Sequence, residues 1–263
     1  MPERSPSARA RWVRAVADGL SLVLPTDCAG CGAWDVAVCP GCRDLVSLTP
    51  VRSDRDAPML SLPGDAGPLL PVWSLADYAG PVRGLVLAWK RTGRADVGRV
   101  LLDRARRGAQ VWAHDPDLLL DGDVVVMPAP SGWRRRTRGL LVAADLADAV
   151  AAGIAVSGAM EAGRSVRSVD ALRRSGGRAH QTGLGARARA RNRTSGVRLL
   201  APPGREDVVV LVDDVLTTGA TLATCARVLT RAGARVAGAL VLAATPPPGR
   251  VGPTTQVAPA NVD

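Results

Sequence analysis

Residues 208–212 are five consecutive apolar positions, four of them β-branched. So short an apolar run predicts a strand buried on both faces, the kind found in parallel sheets. Asp213 and Asp214 follow where that strand is expected to end. Beyond a turn rich in Thr and Gly, Leu222, Ala223, Ala226 and Leu229 recur at helical spacing. The pattern repeats upstream. Val124, Val125, Val126 and Met127 predict a second buried strand ending at Pro128, and Leu140, Leu141, Ala144, Leu146, Ala147 and Val150 a helix after it. Residues 72–78 predict another strand, Val82, Leu85, Val86 and Trp89 continue at helical spacing, and a further helix spans about 96–111. Gly233 is placed to cap the helix before a last strand over 236–242. Strands alternating with helices predict an α/β fold around a parallel sheet.

Outside this frame the pattern weakens. Residues 1–24 read as a leader of Pro, Ser and Arg followed by a short amphipathic helix through Trp12, Val13, Val16, Leu20 and Val23. Residues 25–49 hold a cysteine-rich module, and 50–71, with five prolines, read as an irregular connection. The main domain is expected over 72–245, and a Pro-rich tail without structure over 246–263. Within the domain, residues 164–198 lack periodicity and read as a mobile loop or lid.

Composition changes the picture in one respect. The chain has 263 residues, 47% of them hydrophobic, and a net charge of +10. That charge is concentrated. Segment 131–140 has four arginines and no acid, and segment 164–198 has ten arginines against Asp170 alone, so these two stretches exceed the whole net charge. Lys90 is the single lysine. No apolar run reaches the roughly 18 residues of a membrane-spanning helix. Residues 11–24 imitate a signal peptide only loosely, because Asp18 interrupts the apolar stretch. A cytoplasmic location without membrane insertion is expected.

Two stretches carry chemistry. Strand, polar loop and helix start over 208–221 make a phosphate cradle, in which backbone N–H groups and the positive helix end face an anion. Thr217, Thr218 and Thr221 add hydroxyls, and Gly219 lets the backbone approach closely. Adjacent carboxylates before such a cradle suit the vicinal hydroxyls of a ribose. The second stretch is Cys28, Cys31, Cys39 and Cys42, two C-x-x-C pairs separated by seven residues. Four thiolates in two such knuckles suit a closed tetrahedral zinc site. Paired disulfides are disfavoured without a secretion signal, and a redox C-x-x-C needs only one pair. An iron–sulfur cluster uses this spacing less often. Cys225, inside the helix after the cradle, is expected to be a buried apolar residue with no metal role.

The string VVVLVDDVLTTGAT closely resembles the phosphoribosyl-pyrophosphate (PRPP) motif of type I phosphoribosyltransferases. Further features accompany it: the four-cysteine finger, Tyr78, Ala79 and Gly80 leading to Lys90, Arg91, Thr92 and Gly93, and Pro128, Ala129 and Pro130 with Arg138 and Gly139. Arg173, Gln181, Arg191 and Asn192 complete the set. Over about residues 28–244 the chain therefore resembles the ComF family of competence-associated, phosphoribosyltransferase-like proteins. The resemblance implies a type I phosphoribosyltransferase-like parallel sheet flanked by helices, with a small N-terminal zinc-finger module. It implies Asp213 and Asp214 as ribose-binding and catalytic residues, with Thr217, Thr218, Gly219, Ala220 and Thr221 around the 5-phosphate. Lys90, Ser131, Arg138, Gln181 and Arg191 fall on the pyrophosphate or acceptor side. The family's pattern after Arg-Gly, an aromatic with Asn and Gln, is replaced here by Leu140, Leu141 and Val142.

Two functions follow as expectations. One is an enzyme that binds PRPP with magnesium and transfers phosphoribosyl to a nitrogen acceptor, chemistry that rests on positioning and charge neutralisation. The other is a non-catalytic module in DNA uptake that binds single-stranded DNA or a helicase partner through its basic loops. Of those loops only residues 131–140 offer an aromatic for base stacking, Trp133.

Overall fold

The apolar runs assemble into one sheet. A computed structural model describes residues 26–61, 67–130, 142–175, 196–247 and 249. In chain order they form α1 (Pro40–Asp44), β1 (Val51–Arg52), β2 (Val72–Ser74), α2 (Gly80–Leu87) and α3 (Ala95–Trp112). Then come β3 (Asp123–Pro128), α4 (Val142–Ala155), β4 (Val166–Ser168), β5 (Leu172–Arg174) and β6 (Val197–Leu199). The last three are β7 (Asp207–Leu216), α5 (Ala220–Arg231) and β8 (Arg235–Ala244).

Six strands lie in the order β1-β2-β8-β7-β3-β4, parallel throughout except for β1, which runs antiparallel to β2. β5 and β6 form a separate antiparallel pair. From the central neighbours β3 and β7 the chain leaves in opposite directions, β3 to β4 on one side and β7 to β8 on the other. Such a reversal opens a crevice beyond the carboxyl ends of the two strands, where open α/β sheets take ligands.

Two hydrophobic cores cover the two faces. Val82, Leu85, Leu101, Val150 and Ile154 of α2, α3 and α4 pack with Val210 and Val212. On the other face Leu222, Ala223 and Leu229 of α5 pack with Val209 and Leu211. β7 thus sends alternate side chains into both cores, as its unbroken apolar run requires.

Three differences from the sequence-based expectation have physical causes. β7 does not stop at the aspartates but continues to Leu216, because β8 runs alongside as far as Leu216↔Ala244. β3 ends earlier, at Pro128↔Val212, so, among the described residues, 213–216 have a sheet partner on one side only. The 50–71 stretch is not merely a connection: it adds β1 and two short 3-10 turns, Asp54–Asp56 and Pro58–Leu60, and buries Ala57, Leu60 and Leu70. Buried Asp54 fixes it by accepting from the Val72 N–H (3.1 Å) and from Arg52 Nε (2.7 Å). The described ends of 164–198 supply β4 to the main sheet and pair β5 with β6. Strands of three residues are too short to reveal a period. The leader helix, residues 176–195 and most of the tail lie outside the described residues.

Trp73 and Trp112 meet edge to face in the first core, ring centroids 5.4 Å apart. Trp73 Nε1 donates to Asp115 Oδ2 at 2.9 Å, whereas the buried Trp112 Nε1 has no hydrogen-bond partner among the described residues. Losing a bond to a charged group costs about 1.5–3 kcal/mol, while removing an unsatisfied buried donor relieves a penalty of about 1–3 kcal/mol. Trp73→Phe is therefore expected to destabilise the chain clearly more than Trp112→Phe, measured by urea unfolding followed by circular dichroism. Equal losses would refute this assignment.

Candidate functional site

The loop from β7 to α5 closes over a small cavity of about 40 Å³, lined by Asp213 and by residues 215–222. Gly219 is the N-cap of α5 and has left-handed backbone angles, φ 78° and ψ 1°. A Cβ there would be strained by φ and would also lie 2.6 Å from Leu60 Cγ. With glycine at the cap no side chain caps the helix start, so its N–H groups and dipole face the loop. The Ala220 N–H leans on Thr218 Oγ1 (3.4 Å), and Thr224 Oγ1 is committed to the Ala220 carbonyl (2.8 Å). From behind, the Met59 N–H donates to the Thr218 carbonyl at 3.0 Å. The 58–60 turn thus backs the loop between β7 and α5, a contact that no local sequence pattern announces.

Asp213 and Asp214 have different neighbours. The Asp214 N–H donates to Asp213 Oδ1 at 2.8 Å. Asp213 lines the cavity and lies near the helix α5, where burial, and after it the Asp213 charge, pushes the Cys225 thiol up to about 12. Asp214, 7% exposed, meets Lys90 instead, Nζ to Oδ2 at 2.6 Å. Lys90 sits in a π-helical turn, Ala88–Thr92, that extends α2 and ends at Gly93 in the left-handed conformation. That turn brings a cation from the first core's edge onto the end of β7. Local sequence carries no trace of this pairing, since the partners come from distant elements.

The cysteines converge as their spacing requires. The sulfurs of Cys28, Cys31, Cys39 and Cys42 all lie within 4.8 Å of one another, with Cys31 Sγ to Cys39 Sγ at 3.6 Å. Tetrahedral bonds of about 2.3 Å put sulfurs about 3.8 Å apart. The Cys39 N–H points at Cys28 Sγ (3.3 Å) and the Cys42 N–H at Cys39 Sγ (3.4 Å), the latter at the start of α1. Burial works to raise the Cys28 thiol, but N–H groups of Cys31, Cys39 and Gly30 outweigh it and bring it down to about 7. Burial and the neighbouring thiols push Cys42 up. Four such sulfurs cannot all ionise without a cation among them, so the cluster fits a structural metal such as zinc. All five cysteines are free thiols and Cys225 is buried away from the four.

Ser131, Arg138, Gln181 and Arg191 lie outside the described residues. Among the described residues no helix is long and apolar enough to cross a membrane. Compared with protein-family models and with curated proteins, the chain matches none.

Purified, reduced protein is expected to carry about one zinc per chain, and Cys31→Ser to lose it with a lower melting temperature, because a closed thiolate site contributes folding free energy directly. Elemental analysis that finds no metal in wild type would refute the assignment.

Proposed function

We propose that the chain is a phosphoribosyltransferase-like protein of type I architecture that binds PRPP, or a related ribose 5-phosphate ligand, with magnesium. The observation that carries this reading is the cavity at the start of α5, lined by Asp213 and by the loop that follows β7. Thr217, Thr218 and Thr221 surround it with hydroxyls, and the helix terminus supplies donors that suit a terminal phosphate. The zinc finger reading of the four cysteines belongs to the same resemblance.

In this reading Asp213 takes ribose hydroxyls beside the phosphate, and Lys90 lies on the side where the pyrophosphate leaves. A nitrogen nucleophile forms a bond to the anomeric carbon while the bond to the pyrophosphate oxygen breaks and its electron pair leaves with pyrophosphate. Magnesium, when bound, neutralises the leaving group. The chain's own contribution is to orient the ribose and to accept the charge that develops. Asp214 organises charge rather than taking a proton, because its Oδ2 is engaged by Lys90.

Asp213→Asn with Asp214→Asn is expected to abolish detectable PRPP binding in calorimetry with magnesium while leaving the circular dichroism spectrum unchanged. Each lost charged partner costs about 1.5–3 kcal/mol, on the order of ten- to a hundredfold in affinity. A double variant that binds PRPP as tightly as wild type would sink this reading and leave nucleic acid as the partner for the basic segments.

A further inference from the structure

The four-cysteine module is packed against the elements that carry Lys90 at two points, one on each side of that residue. Before Lys90, the first knuckle meets α2. A Cβ on Gly84 would lie 2.5 Å from the Ala29 carbonyl oxygen, so only glycine permits that approach. Gly30 is held between the metal cluster and the same helix, since its own Cβ would lie 2.7 Å from Cys42 Sγ and 3.1 Å from Pro81 Cβ. After Lys90, Arg94 Nη1 donates to the Asp27 carbonyl at 3.0 Å, one residue before Cys28, while its Nε and Nη2 hold Asp96 in the first turn of α3. The π turn between these points is pressed onto α3 as well: Trp89 fills the space where a Gly98 Cβ would lie 2.6 Å from its Nε1.

The module is therefore no appendage. Cys28, Cys42 and Val46 belong to the same core as Val82, Leu85 and Val86 of α2. Lys90 has a long flexible stem, and holding its ammonium on one carboxylate oxygen costs side-chain entropy unless the backbone beneath is fixed. The elements that fix it, α2 and Arg94, are those the knuckle touches.

We propose that the four-cysteine module positions Lys90 on Asp214, so that the metal centre acts as a structural determinant of the ligand site and not only of its own fold. The ligand arm of this inference rests on the PRPP reading; the geometric arm does not. With its metal bound, the module fixes the Ala29 and Asp27 carbonyls, these fix α2 and Arg94, and the turn presents Lys90 to the end of β7.

Because Lys90 is the only lysine, protein labelled with ¹⁵N at lysine Nζ gives one side-chain ammonium signal that reports the pair directly. In the full chain, chelation of the metal is expected to move this signal to the position of a free lysine, and Gly84→Ala to move it likewise with metal still bound. By calorimetry with PRPP and magnesium, chelation is expected to weaken binding about tenfold or more in wild type and less than twofold in Lys90→Met. An unchanged ammonium signal in both chelated protein and Gly84→Ala overturns the proposal, as does equal weakening with and without Lys90. If chelation unfolds the chain, seen by circular dichroism, Gly84→Ala and Arg94→Met decide the matter alone. Wild type that binds no PRPP would defeat the ligand reading while the ammonium signal still tests the positioning.

Discussion

Two adjacent carboxylates sit at the end of a strand whose remaining side chains are almost all withdrawn from water, and the carboxyl edge of the sheet is arranged around keeping them there. Like charges side by side in a partly buried place repel each other. The fold offsets this in two ways. Asp213 Oδ1 accepts the N–H of Asp214, and Lys90 brings a positive charge to Asp214 Oδ2. β8 also runs on beside β7, giving the acidic stretch a backbone partner on one side after β3 has stopped. Among the described residues no strand lies on the other side, next to the end of β3.

The loop beyond is constrained from behind rather than from within. Gly219 in its left-handed conformation needs the space that Leu60 borders, and the Thr218 carbonyl is held by Met59. Leu60 is anchored in turn because Asp54, almost completely buried, is paired with Arg52 and bonded to the backbone of β2. A loop held this way has little conformational freedom left to lose, which lowers the ordering cost of any contact it makes.

Much of this frame was legible in the chain. Apolar runs at 124–127 and 208–212 marked the two central strands, because only strands buried on both faces tolerate such uniform character. Knuckle spacing brought four sulfurs together as expected, since two local turns decide most of that geometry. What stayed hidden was non-local or short. β4, β5 and β6 are three residues each, and β1 only two. The π turn that turns Lys90 inward depends on packing of Trp89 against α3, and the divergence of Asp213 and Asp214 depends on which neighbour each finds. Sequence adjacency put both carboxylates at one place on β7; that Lys90 meets Asp214 is decided by tertiary structure.

Charge balance sets a limit on what the described site can hold by itself. Among its fixed groups are two carboxylates, one lysine and one helix start, the last equivalent to roughly half a positive charge. Together these four sum to a slightly negative charge, which opposes a ligand bearing pyrophosphate. On the proposed reading that deficit must be met from outside the fixed groups, by a divalent cation and by arginines. In sequence, segment 131–140 with its four arginines follows Pro130, two residues beyond the end of β3, the strand that pairs with β7 as far as Val212. The same arithmetic shows why Lys90 matters: removing it would leave these groups one charge more negative, and every approaching anion would meet that charge.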